Sequence, residues 1–204
     1  MGMNLMPGFG AFTPTSSLLD GSEADGTNLS ATDAGMTSGW TSAAATITTA
    51  ATAAPNGLTE AAKVVEAAAS NAQGVQQTVS FTADSQLRYS VYAKAAERSL
   101  MGLACLNVNG TSAGGFCWFN LATGTYIDEH EQGAMQFVNN PVVADAAYGF
   151  KKYSIDMRMA ADTTAVYWIL YVLNSYPPVL PNFPSYTGDG SSGIYVWRPK
   201  LVAF

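Results

Sequence analysis

The sequence predicts an all-β protein: an antiparallel β-sandwich of the jelly-roll type behind an extended N-terminal arm. Three observations predict it. Apolar residues recur with a period of two at Leu87, Tyr89, Val91, Ala93 and Ala95, and again at Tyr153, Ile155, Met157 and Met159, as half-buried strands require. The run 166–173 is apolar on both faces, the mark of a central strand. Turn-forming groups interrupt the chain at 107–115, 123–124, 139–141, 161–162 and 188–190, the rhythm of many short strands.

In chain order, residues 1–39 read as the arm and 40–204 as the sandwich domain. The arm is rich in Gly, Ser, Thr and Ala, has no periodicity, and carries separated apolar anchors, chiefly Leu5, Phe9 and Phe12. Such a segment is expected to lie on its own domain or on a neighbouring subunit. An Ala/Thr-rich run follows at 43–54, then a turn at Pro55-Asn56-Gly57. The stretch 59–69 has helical propensity, with Thr59 as a cap. Its neighbours are strands, so a strand is expected there instead. The closing segment runs from a Gly/Asp/Ser turn at 188–193 into the strand Ile194-Tyr195-Val196-Trp197. Phe119, Leu121, Ile194 and Val196 are candidate core residues, and Pro199 is expected to end pairing at the last strand.

Composition narrows the function. Of 204 residues, 48% are hydrophobic, enough for a substantial core, while only 12% are charged, about half the usual share of roughly 25%. The surface must therefore be largely Ser, Thr, Asn, Gln, Gly and Ala, which protects poorly against association. Net charge is −6, and the first basic residue is Lys63. No basic stripe runs along the chain, which argues against nucleic acid as the main partner. The longest apolar run, eight residues at 166–173, is far short of the ~18 needed to span a membrane. The N-terminus lacks the basic and apolar regions of a secretory leader, so a reducing cytosol is the expected folding compartment.

Three stretches resemble a known family. They are Tyr89-Ser90-Val91-Tyr92-Ala93-Lys94, Trp118-Phe119-Asn120-Leu121-Ala122-Thr123-Gly124, and Gly188-Asp189-Gly190-Ser191-Ser192-Gly193-Ile194-Tyr195-Val196-Trp197. In this order and approximate spacing they are similar to the carbohydrate-binding-module-like jelly-roll domains of bacteriophage tail and head-decoration proteins. The resemblance covers roughly residues 37–204. It departs from the family pattern at the end, where Lys200-Leu201-Val202 replaces a usual Gln-Leu-Glu. What it implies is a virion protein, made in the host cytoplasm and without enzymatic activity: a capsid-decoration or small fibre-like component. Its implied partners are other capsid or tail proteins and further copies of itself, as a homotrimer. The alternative is an adhesin that binds host or environmental glycan.

Few residues point to chemistry on their own. Cys105 and Cys117 lie equally far from Thr111, so a symmetric hairpin would place them face to face. In a reducing compartment they are expected as free, buried thiols rather than a disulfide. His130, the only histidine, sits among Asp128, Glu129 and Glu131, in what reads as an acidic surface loop. No cofactor is expected; Ca²⁺ is the one ion these acids and Asp189 would suit. A glycosidase needs two positioned carboxylates, and no pair stands out. The Pro-rich stretch 176–186 reads as a stiff surface loop without a regular ladder. Its aromatics Tyr176, Phe183 and Tyr186 are the candidate contacts to glycan or partner.

Overall fold

Residues that alternate along the sequence alternate across two stacked sheets. The computed structural model describes residues 27–30, 34–108, 114–176 and 185–204. The first strands are β1 (Thr27–Asn28), β2 (Thr41–Ala43), β3 (Ala45–Ala53), β4 (Thr59–Glu66) and β5 (Ser70–Ala72). There follow β6 (Gly74–Ser80), β7 (Gln86–Ala95), β8 (Leu100–Asn107), β9 (Gly114–Asn120) and β10 (Thr125–Gln132). The last are β11 (Gln136–Asp145), β12 (Lys151–Arg158), β13 (Ala165–Leu173), β14 (Ser185–Thr187) and β15 (Gly193–Ala203). The anchors Leu5, Phe9 and Phe12 and the candidate contact Phe183 lie outside the described residues. Among the described residues no helix is long and apolar enough to cross a membrane.

One sheet has seven strands in the order β11-β12-β7-β15-β4-β3, with β1 joined to β15. The second has six, β10-β9-β8-β13-β6-β2, and a two-stranded ribbon pairs β14 with β5. All pairings between these strands are antiparallel. Long β15 serves two neighbours on one side: its first residues pair with β4 and its last with β1. Part of the segment read as an arm thus belongs to the sheet, and Met36 is buried in the main core.

The inward faces meet in that core. Leu87, Tyr89, Val91 and Ala93 of β7 and Tyr153, Ile155 and Met157 of β12 pack there, as the alternation predicted. So do Phe119, Leu121, Ile194 and Val196. Trp168 is the hub: its ring lies 4.6 Å from Tyr89 and 4.9 Å from Trp40, and its Nε1 donates to Gln77 Oε1 at 3.2 Å. A second apolar cluster occupies the outer face of the six-stranded sheet, with Phe116, Trp118, Ile169 and Tyr171. Two glycines let its rings lie down on the strands. A Cβ on Gly102 would sit 2.4 Å from the Trp118 ring, and one on Gly74 would sit 2.9 Å from Tyr171, both closer than packed atoms tolerate.

Strand context settled several local ambiguities. The stretch at 59–66 is a strand, because β4 is flanked by β3 and β15, and from Ala62 to Glu66 its burial alternates with a two-residue period. Four expectations need correction. Asn139-Asn140-Pro141 is not a turn but an irregular part of β11, where register shifts on either side of Asn139 absorb the proline; β11 is an edge strand, which tolerates a missing N–H. Pro199 does not end the ladder either. It lies in a bulge between Trp197 and Lys200, after which β15 resumes pairing with β7. The acids at 128–131 form part of β10, not a loop, because Thr125–Gln132 pairs with β9. Finally, 185–187 does form a short ladder, with β5.

Candidate functional site

The outer face of the seven-stranded sheet carries a polar trough. It is built from the residues of β7 and β12 that the alternation turns away from the core, since cross-strand partners share a face. The register places Asp156 beside Arg88, Ser154 beside Ser90, and Lys152 beside Tyr92. On one flank Val142 and Ala144 of β11 continue the rows. On the other, Lys200 pairs with Ser90 and Trp197 with Tyr92. The trough encloses about 390 Å³ between Arg88, Asp156, Ser154, Lys152, Asn140, Val142 and Ala144.

Its walls are held in place by specific bonds. Arg88 donates from Nε and Nη2 to the two carboxylate oxygens of Asp156, both at 2.7 Å, and Asn139 adds a bond at 2.9 Å. The Arg88 guanidinium also stands 5.0 Å from the Phe204 ring. Burial would raise the Asp156 carboxyl, but the bonds from Arg88 and Asn139 outweigh it, and the group ionises below the usual aspartate range. Lys152 lies 5.9 Å from the Tyr92 ring. Burial, and then the nearby Lys200 and Arg198 charges, hold its ammonium below the usual lysine range. These groups offer cations, hydroxyls and one carboxylate already committed to Arg88. They suit the binding of an anion with hydroxyls; His130, the chain's only histidine, is on β10 of the other sheet.

The residues singled out from sequence are not brought together here. Tyr176 is 39% exposed, and its hydroxyl donates to Asp128 Oδ2 of β10 at 2.9 Å. Tyr186 sits in the β14–β5 ribbon, half-buried, with its hydroxyl donating to Glu66 Oε2 at 2.6 Å. Asp128, Glu129, His130 and Glu131 alternate between the two faces of β10. Asp128 and His130 face outward beside Trp118 and Phe116, whereas Glu129 lies opposite Cys117 on the inner side. Among the described residues no three His, Cys, Asp or Glu side chains gather as a metal site.

Sequence reasoning did not single out Glu66. Its side chain is fully buried at the end of β4 and accepts from Arg98 Nε at 2.8 Å and Arg98 Nη2 at 2.5 Å. It also accepts from the Asp189 backbone N–H at 2.8 Å. Burial would raise this carboxyl, but the bonds from Arg98, Tyr186 and Asp189 more than offset it, and Glu66 ionises below the ordinary 4.5. Asp189 in turn accepts from the backbone N–H and hydroxyl groups of Ser191 and Ser192. The closing turn expected from its Gly/Asp/Ser composition is thereby pinned to the sandwich. This cluster is a structural lock, since every oxygen that could act on a substrate already accepts a bond.

On the edge strand β10, Glu129 is a strained contrast. Its Oε2 is buried without a hydrogen bond. Burial, then the charges of Glu131 and Asp128, push its carboxyl above the ordinary 4.5. Nearby Tyr126 is pushed up to about 12 by burial, then by Glu129 and to a lesser degree Asp128. Inward-pointing charge on an edge strand discourages pairing with other chains, at a cost in stability. Because the folded protein holds this proton to higher pH than the unfolded chain, the cost is present at neutral pH and vanishes as pH falls below the unfolded value. Glu129→Gln is therefore expected to raise the melting temperature at pH 7 by about 1–2 °C, consistent with a gain below 1 kcal/mol in a chain of this size. Paired melts at neutral and acid pH should show the gain disappearing in acid.

The cysteines require one correction. Both are free and buried, but they do not face each other. Cys117 pairs with Leu103 and Cys105 with Gly115, so the strands are out of the symmetric register and the thiols are staggered by two residues. Burial pushes both thiols well above the usual range, for Cys117 with the added charge of Glu129. A thiol reagent at mildly alkaline pH should leave the native protein unmodified and label both cysteines once the chain is unfolded, as counted by mass spectrometry. Fast labelling of the native protein would contradict the packing around β8 and β9.

No family model matches the chain, and no curated protein does. Among solved structures it is similar to the enzymatically active domain of tailspike protein 4 of bacteriophage CBA120, at 12% sequence identity and a TM-score of 0.49. The match covers 87% of this chain and 21% of that one, so the chain spans 21% of that neighbour's length.

Proposed function

We propose that this chain is a non-enzymatic structural component of a tailed-phage particle, a capsid-decoration or small fibre-like subunit built on a carbohydrate-binding-module-like sandwich. The three sequence stretches and their order support the phage assignment. The observation that carries the non-enzymatic part is the state of Glu66 and Asp156, the two buried acids among the described residues; Glu129 is tuned the other way, but the residue opposite it is Cys117, not a second carboxylate. Glu66 and Asp156 are each gripped by an arginine through two hydrogen bonds and ionise below their ordinary ranges. A general acid needs the opposite tuning. Edge strand β3 supports self-association, because its nine residues are Ala, Thr and Ile without a single charge, and an uncharged edge invites pairing; a trimer is what the family resemblance adds.

The test has three readouts on the purified chain and on particles. Gold-labelled antibody against the chain should decorate intact particles. Sedimentation should give a species larger than the 21.4 kDa chain. Incubation with polysaccharides should release no new reducing ends. Unlabelled particles, or saccharide cleavage lost in a variant of a single carboxylate, would overturn the reading.

A second reading, an adhesin that attaches the particle to host or environmental polysaccharide, is favoured by the trough. Arg88, Lys152, Ser154 and Asn140 give it a polar lining.

A further inference from the structure

We infer that two copies of this chain pair through edge strand β3, antiparallel and β3 against β3, about a two-fold axis. This rests on the self-association reading above and gives it a surface, a partner and a symmetry.

The first observation is a contrast among the outermost strands of the two large sheets, β11 and β3 in one, β10 and β2 in the other. An open edge pairs with further chains unless it is short, charged, irregular or carries proline. β2 has three residues. β10 carries Asp128, Glu129 and Glu131. β11 carries Pro141 and shifts register on both sides of Asn139. β3 has nine residues with neither charge nor proline. Its register shifts come after Thr48, and residues 45–48 stay in regular pairing with β4.

The second observation is a groove beside that edge. It encloses about 330 Å³, is lined by Met36, Trp40, Ile47 and Val75 with Thr46 and Thr49, and has no charged residue in its walls. Along β3, Ile47 packs against the main core while Thr46 and Thr48 are exposed. Inward and outward side chains alternate along any strand added there. The inward Ala and Ile side chains of a second β3 would face the groove.

Charge selects a second copy as the occupant. The chain carries −6, so two copies repel unless they meet where charge is absent. β3 against β3 sets no like charges together. β3 against β10 would desolvate three acids with no Lys or Arg to answer them. Eight of the nine Lys and Arg residues lie on β4, β7, β12 and β15, and the strands of the six-stranded sheet carry none. β3 against β11 would meet Pro141, which has no N–H to give. A two-fold contact also covers both open edges at once, whereas a head-to-tail contact must close a ring or run on as a filament. The contact makes pairs, so the trimer implied by the resemblance would need a different surface.

Sedimentation equilibrium and hydrogen exchange on the full chain test this, using wild type, the double variant Thr46→Glu, Thr48→Glu, and the control Val142→Glu on edge β11. Thermal melting checks folding. Thr48→Glu alone, at the position paired with Lys63, serves if the double variant does not fold. Wild type is expected at twice the 21.4 kDa chain mass, with the amides of residues 45–53 exchanging more slowly than in the double variant. Acids brought toward acids across the axis should weaken association at least about a hundredfold, and the control should match wild type. A wild type of one chain at its highest soluble concentration would remove the inference and the self-association reading together, leaving the edge to a strand of another protein. Three or more chains, or two chains that persist in the folded double variant, would overturn the inference and leave self-association on another surface. Equal loss in Val142→Glu, or amides at 45–53 that exchange no more slowly in wild type, would overturn it in the same way.

Discussion

Replacing Glu66 with alanine is expected to cost about 3–5 kcal/mol of stability, the range for removing one partner of a buried ion pair. In a chain of this size that lowers the melting temperature by roughly 10 °C. The single carboxylate accepts from Arg98 twice, from the Tyr186 hydroxyl and from the Asp189 backbone. Its removal takes the main acceptor from all three donors, leaving Tyr186 only Val172 O at 3.2 Å and Arg98 only Asp189 at 3.4 Å, and loosens the closing turn. Lys63–Glu97 supplies the comparison: Glu97 is 53% exposed, and Glu97→Ala should cost under about 1 kcal/mol. Denaturant melts of both variants check the contrast, and equal effects would mean that Glu66 is not buried as described.

The same carboxylate sets a direction for acid stability. The folded-state pKa values of Glu66 and Asp156 lie below their ordinary 4.5 and 3.8. For such groups the stabilisation is present above the unfolded pKa and is lost as pH falls through the folded one. Wild type is expected to lose stability steadily below about pH 4.5, from the unfolded carboxylate range downward. Glu66→Gln should flatten that loss, and a variant with an unchanged acid limb would assign the acid sensitivity elsewhere.

Trp168→Ala is expected to match the first effect, at about 3–5 kcal/mol, the usual cost of deleting a fully buried tryptophan. Trp168 is 0% exposed and touches both sheets through Tyr89 of β7 and Trp40 before β2. Alanine would leave a cavity at the centre of the main core and strip Gln77 of its donor. Trp168→Phe keeps a six-membered ring in the core but loses the N–H and the pyrrole half of the indole, so it should cost less, about 1–3 kcal/mol. Urea unfolding followed by circular dichroism separates the two. Near-equal losses would show that the six-membered ring that phenylalanine retains against Tyr89 and Trp40 is not what holds the core.

Much of the fold was legible because a strand shows its two faces locally. Leu87 to Ala95 and Tyr153 to Met159 announced both their inward and outward sets, so the outward Arg88, Ser90, Ser154 and Asp156 of the trough could be read without coordinates. What could not be read was that β7 and β12 lie side by side, with β15 and β11 on either flank. The trough exists only because of that order. Glu66 was invisible for the same reason, since its partners lie 32, 120 and 123 residues away along the chain. The acids at 128–131 looked like a loop because charge outweighed strand propensity in that window. Pairing with β9 and the inward turn of Glu129 prevailed.

Period-two patterning, turn chemistry and low charge determined, from the amino-acid order alone, that this is a sandwich of antiparallel strands with a weakly charged exterior. Tertiary structure alone decided the stagger of the two cysteines, the bulge that carries β15 past Pro199, the lock around Glu66 and the gathering of cations on one sheet. The physical reason is range. Which way a side chain points in a strand follows from its own backbone geometry, whereas which strands become neighbours is settled by packing and loop closure between segments far apart in the chain.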